Sequence, residues 1–218
     1  MSSEHDLPSA LARLSAGRPL LIVDADEVLL RFVAGFDRFL EQQGLFLDLT
    51  SYRLHGNVKR RDDRSAVLDV EVTALLEEFR RELDSLEPVE GARECLMDLS
   101  RQLDIVVLSN IAPAQAAARL RNLASFGLKL PVVANSGLKG ESVKALASRA
   151  GRPSFFVDDI PQHLASAAEF APDVTRIHLI GDDRLKPLLP ASEHADFRAA
   201  GWNDAHRFIA EKLSEAGL

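Results

Sequence analysis

Leu20-Leu21-Ile22-Val23-Asp24-Ala25-Asp26-Glu27-Val28-Leu29 is the stretch around which the rest of the chain is organised. Four apolar residues, two of them β-branched, read as a buried strand, and the run stops on two carboxylates placed two positions apart. Ligands of open α/β sheets bind beyond the carboxyl ends of the strands, so chemistry is expected at this end. Alternate positions of an extended chain point the same way, which lets Asp24 and Asp26 address one reacting centre if the extended geometry persists. An Asp at a strand end also serves to cap a helix or turn the chain, so the pair takes its meaning from what surrounds it.

Working outward, short apolar runs alternate with helical patterns in the manner of a parallel sheet. The run 105–108 stops on Ser109-Asn110, and 130–134 is followed by Lys139-Gly140 in a loop. Phe155-Phe156-Val157 stops on Asp158-Asp159 before the helix-starting Pro161, and 174–180 stops on Gly181-Asp182-Asp183. Helices are expected over 91–102, from Pro113 to Gly127, over 141–150 and over 203–213. Residues 31–88 break the alternation. Phe32, Phe36, Phe39 and Leu40 recur at helical spacing, 45–64 read as irregular, and one long helix is expected over 68–86, ended by Pro88. The expected organisation is an α/β core of residues 1–30 and 89–218 with a helical insertion at 31–88.

The chain has 218 residues, 46% of them hydrophobic, enough for a substantial core. A net charge of −7 argues against a general nucleic-acid or anionic-membrane binder, so an anionic ligand must be met by local positive charge or a metal. The single cysteine, Cys95, excludes an intrachain disulfide framework and reads as a buried, inert thiol. Residues 1–19 carry Glu4, Asp6, Arg13 and Arg18 and do not read as a signal peptide, and no apolar run is long enough to span a bilayer. A cytoplasmic protein is expected. The six histidines show no ligand spacing and read as structural or surface residues.

In a parallel sheet the strand ends meet at one edge, which here gathers an Asp pair, a Ser, a second Asp pair and a Lys. Phosphoryl transfer needs such a set: a nucleophile, an acid for the leaving oxygen, and positive charge on the equatorial oxygens. The acidic cluster would repel a phosphate unless a hard cation sat among it, and Mg2+ suits carboxylate, water and phosphate ligands.

These residues resemble the four motifs of the haloacid dehalogenase-like hydrolase superfamily, in order. Asp24-Ala25-Asp26-Glu27-Val28-Leu29 looks like the first, Leu108-Ser109-Asn110 the second, Lys139 the third and Asp158-Asp159 the fourth. The resemblance implies a Rossmann-like parallel sheet flanked by helices, with 31–88 as an inserted cap. It implies that Asp24 attacks phosphorus to form an aspartyl-phosphate, and that Asp26 protonates the leaving group and then deprotonates the hydrolytic water. Ser109 would hydrogen-bond a phosphoryl oxygen, Asn110 would bind substrate, and Lys139 would neutralise charge on the phosphoryl group and on the intermediate. Asp24, Asp158, Asp159 and the Asp26 backbone carbonyl would hold Mg2+.

Glu27 stands where the family commonly has Gly, which is expected to hinder positive φ in the turn and adds a carboxylate. Asp182-Asp183 compete for the fourth motif and Lys144 for the third; Asp158-Asp159 and Lys139 fit the flanking pattern better. The expected activity is a magnesium-dependent phosphatase acting on a small phosphorylated metabolite. Its rivals are a dehalogenase, which has no need of an acid at Asp26, and a non-catalytic phosphate or phosphoprotein binder silenced by Glu27. In the insertion, the basic group of Arg53, Lys59, Arg60 and Arg61 is either a solvated loop or faces the site, where Arg60 and Arg61 would bind the non-reacting part of the substrate.

Overall fold

A computed structural model of the chain describes residues 6–218, so residues 1–5 of the expected core, including Glu4, lie outside the described residues. A helix that the sequence reading did not anticipate comes first: α1 (Leu7–Arg13), with the Asp6 carboxylate accepting from the Ser9 N–H at its start. Then follow β1 (Leu20–Val23), α2 (Phe32–Glu41), β2 (Leu45–Leu47), β3 (Val58–Arg60), α3 (Asp69–Phe79), α4 (Ala92–Leu99), β4 (Asp104–Ser109) and α5 (Ala116–Ser125). The chain ends with β5 (Val132–Ala134), α6 (Gly140–Arg149), β6 (Ser154–Asp158), α7 (Pro161–Phe170), β7 (Thr175–Leu179), β8 (Phe197–Ala199) and α8 (Trp202–Glu215).

Six strands form one parallel sheet in the order β5-β4-β1-β6-β7-β8, a Rossmann-like arrangement flanked by helices. Ile22 pairs with Val106 on one side and Phe156 on the other, so β1 is the central strand and all four of its residues are buried. Its alternation divides the core. Leu20 and Ile22 pack with residues of α1, α6 and α7, whereas Leu21 and Val23 pack with residues of α4, α5, α8 and the segment after β1. Both neighbours of β1 run parallel to it and leave in opposite directions, which makes its carboxyl end a topological switch point.

Between β1 and β4 the insertion is only partly helical. Residues 45–47 and 58–60, expected to be irregular, pair as an antiparallel ribbon with Leu45 opposite Arg60. The helix expected to reach residue 86 stops at Phe79 and passes into a short 3-10 turn, Arg80–Glu82. The chain folds back there, and Leu83 and Leu86 enter the same apolar cluster as Phe32, Phe36 and Phe79. Gly35 permits this, since a Cβ at that position would lie 2.6 Å from Leu86 Cδ2. The Phe32 and Phe79 rings meet edge to face at 5.1 Å. No helix among the described residues is long and apolar enough to cross a membrane.

Candidate active site

The last ladder bond on this side of β1 runs from the Asp24 N–H to the Val157 carbonyl at 2.9 Å, after which the chain turns. Glu27 and Leu30 close the turn through a bond from the Glu27 N–H to the Leu30 carbonyl, and Gly181 N–H donates to the Glu27 carbonyl at 2.5 Å. Glu27 sits at φ +58, so the expectation that a non-glycine residue would hinder this turn is corrected. The left-handed conformation costs roughly 1–2 kcal/mol for an L-residue. The side chain contributes in return, because its Oε1 accepts from the Val33 N–H at 2.6 Å and satisfies a free donor in the first turn of α2. Its other oxygen is buried without a partner among the described residues, and burial pushes the carboxyl up to about 8.

The strand ends converge as the topology requires. Asp24 follows β1, Asp158 ends β6, and Lys139 precedes α6. The Lys139 Nζ donates to Asp24 Oδ1 at 2.5 Å and to Asp158 Oδ2 at 2.7 Å, with its side chain only 1% exposed. Gly140 fixes that placement: its N–H donates to Ser166 Oγ at 3.1 Å, and a Cβ would lie 2.3 Å from the Ser166 carbonyl oxygen on α7. Burial works against the Lys139 charge, but Asp158 and Asp24 hold its pKa above the ordinary range. Burial raises Asp158 and Asp159, although Lys139 opposes the shift.

Asp24, Asp158 and Asp159 each offer an oxygen within 4.8 Å of the others. Three carboxylates face one ammonium, so the cluster carries two uncompensated negative charges when fully ionised, and its donors are all hard oxygens. That set fits a divalent cation such as Mg2+. From the insertion, the Tyr52 hydroxyl donates to Asp159 Oδ2.

Asp26 stands apart from the cluster. Its Oδ1 accepts from Nη2 of Arg119, a fully buried residue of α5, at 2.6 Å. Burial raises the Asp26 carboxyl, with Arg119 acting in the opposite sense. Ser109 ends β4 buried, and its hydroxyl has no partner among the described residues. Asn110 donates to the Gly137 carbonyl at 3.0 Å and lies 3.3 Å from His163 Nε2. A cavity of about 260 Å³ is walled by Asp24, Asp26, Asn110, Lys139, Asp159 and His163 and by Phe32, Val33, Tyr52 and Leu54 from the insertion, whereas Ser109 and Arg119 lie behind its walls. Burial and the nearby Lys139 lower His163 to about 4, so it is neutral here rather than a surface cation.

The rival residues lie elsewhere. Asp182 is paired with Arg184 at 2.7 Å, and Lys144 is exposed on α6. Arg60 and Arg61 do not line the cavity. They pair with Glu71 at 3.0 Å and Glu41 at 2.7 Å, within the insertion, so the expectation that they face the site is corrected. Their neutralising partners come from the flanking helices α2 and α3, which the spacing of the basic run alone does not reveal.

Three functional candidates escaped the sequence reading. Arg119 carried a usable signal, a charge on the buried stripe Ala116, Arg119, Asn122 and Leu123 of an amphipathic helix. Tyr52 and His163 carried none, because each reaches the cavity only through tertiary folding.

No family model and no curated protein sequence matches the chain. Solved structures do. A HAD family hydrolase from Deinococcus radiodurans R1, with bound phosphate and sodium, is 19% identical at a TM-score of 0.58, covering 93% of this chain and 98% of its own. An L-2-haloacid dehalogenase is 15% identical at a TM-score of 0.61, covering 89% and 100%. A HAD hydrolase from Bacillus subtilis bound to magnesium is 15% identical at a TM-score of 0.59, covering 89% and 99%. At these identities the likeness is one of fold.

Proposed function

We propose, from the haloacid dehalogenase-like fold of this chain and the carboxylates at its sheet edge, that it is a magnesium-dependent phosphatase of a small phosphorylated metabolite. Residues 31–88 act as the cap over a core formed by the rest. The observation that carries the reading is Lys139 bonded to both Asp24 and Asp158, with Asp26 opening on the same cavity.

Lys139 holds Asp24 Oδ1, leaving Oδ2 without a protein partner among the described residues. That oxygen attacks phosphorus, the ester P–O bond breaks, and the departing oxygen takes a proton from Asp26. Asp26 then removes a proton from a water that attacks the phosphorus of the aspartyl-phosphate, releasing phosphate and restoring Asp24. The unpaired Ser109 hydroxyl supplies a donor for a phosphoryl oxygen, and Lys139 offsets its charge. Asp24, Asp158, Asp159 and the Asp26 carbonyl would hold Mg2+, which when bound supplies positive charge to the phosphoryl oxygens.

The small cavity with apolar walls at Phe32, Val33, Leu54, Ile160 and Leu185 favours a second reading, a haloacid dehalogenase. There Asp24 attacks carbon and halide leaves without a proton donor, which gives Asp26 no task. Phosphate release from p-nitrophenyl phosphate with magnesium, lost on adding EDTA, supports the phosphatase. Halide release from a 2-haloacid without phosphate release supports the dehalogenase, and neither product supports a phosphate binder.

A further inference from the structure

Arg119 is the largest charged side chain buried among the described residues, and its burial has no structural return in proportion. Of its guanidinium, Nη2 bonds Asp26 Oδ1, whereas Nε and Nη1 are buried without partners among the described residues. Burying a cation with most of its donors unmet is costly, and a buried ion pair seldom stabilises a fold more than an apolar residue of similar size. Leu or Met on this stripe of α5 would fill the same space without that penalty.

The arrangement constrains Asp26 instead. Arg119 holds Oδ1, while Oδ2 has no hydrogen-bond partner among the described residues, and the 30% of the side chain that remains accessible lies along the cavity. The aim of Arg119 is itself fixed. Asn122, one turn further along α5, donates to the carbonyls of Asp84 at 3.2 Å and Leu86 at 2.9 Å, tying the helix to the end of the insertion.

We propose that Arg119 is a positioning residue that clamps one oxygen of Asp26 so that the other exchanges the proton with the leaving group. The inference rests on the phosphatase reading. A residue that acts through proton donation matters most when the leaving oxygen is a poor one, and general acid catalysis is worth about 10²–10⁴ in rate.

The test compares p-nitrophenyl phosphate, a good leaving group, with phenyl phosphate, a poorer one, in the magnesium-loaded protein. Arg119→Met should lower kcat/KM on phenyl phosphate at least about 10-fold more than on p-nitrophenyl phosphate, because kcat/KM ends at departure of the leaving group whereas hydrolysis of the aspartyl-phosphate is common to both esters. Arg119→Lys should recover part of the loss, and Arg119→Met combined with Asp26→Asn should be no slower than Asp26→Asn alone. Equal losses of kcat/KM on both substrates, or losses that multiply in the double variant, overturn the positioning role. Should Arg119→Met fail to melt cooperatively, the same leaving-group comparison and double variant with Arg119→Lys decide it. A wild type inert toward both esters overturns the phosphatase reading and the positioning role together, whereas an active wild type with a leaving-group-independent defect overturns the positioning role alone.

Discussion

Replacing Glu27 by Gln removes an ionisable group from a site only 4% exposed, while leaving the left-handed backbone and an acceptor oxygen for the Val33 N–H. The carboxyl is pushed up to about 8 in the folded chain from 4.5, first by burial and then by Asp182 and Asp26, against the bond from Val33. Between those values the folded protein keeps a proton that the unfolded chain has released, so wild-type stability falls as pH rises. At pH 7 this difference costs ~3 kcal/mol, a large share of the stability of an ordinary domain. Gln has no such dependence. Urea denaturation of both metal-free proteins between about pH 5 and pH 8 should give a difference in favour of Glu27→Gln that is small at the acid end and grows by ~3 kcal/mol towards neutrality. The amide nitrogen that replaces the unpartnered oxygen adds only a constant offset, so the slope is what matters. A difference that does not change with pH, or that shrinks as pH rises, would refute the assignment of Glu27 as a buried, proton-holding group.

Asp158→Ala should weaken magnesium binding in calorimetric titration, whereas Asp182→Ala should not, because Asp182 is occupied by Arg184. Lys139→Met leaves Asp24 and Asp158 buried against each other and should destabilise the metal-free protein by about 3–5 kcal/mol in thermal or urea melts, with saturating magnesium restoring part of the loss. Arg60→Gln with Arg61→Gln should leave kcat/KM unchanged within about 2-fold for any phosphorylated substrate in a steady-state assay, since both side chains are half-exposed and already paired.

What the sequence made legible follows from how locally each feature is determined. The central strand declares itself because 20–23 are buried on both faces, and the residues after it are therefore placed at a strand end. The same logic located Ser109 and the Asp158-Asp159 pair, whereas Lys139 was legible only as a loop residue before a helical stretch. Strand β8 was missed because Phe197-Arg198-Ala199 is a three-residue edge strand with no apolar run, recruited by its pairing with β7. The ribbon of the insertion is equally short, and it is set by cross-strand contacts rather than by propensity. The end of α3 at Phe79 was invisible because Leu83 and Leu86 continue a helical spacing although they reach the core through a tighter turn. Glu27 was misjudged in the opposite sense. Its composition suggested strain alone, but the bond to Val33 that accompanies the strain is a tertiary feature. The candidate site was thus legible as a list of residues that the fold brings to one sheet edge, whereas its wall and the partner of Asp26 were not.

The central claim is that Asp24 is the nucleophile, and the most direct measurement is to look for the bond it forms. Acid quench of the magnesium-loaded protein during turnover of p-nitrophenyl phosphate, followed by borohydride reduction and peptide mass analysis, converts an acyl phosphate into a stable mark at the residue that carried it. The account predicts that mark at Asp24 in the wild type and none in Asp24→Asn. Steady phosphate release with no mark, or a mark at Asp26, Asp158 or any other residue, would contradict it.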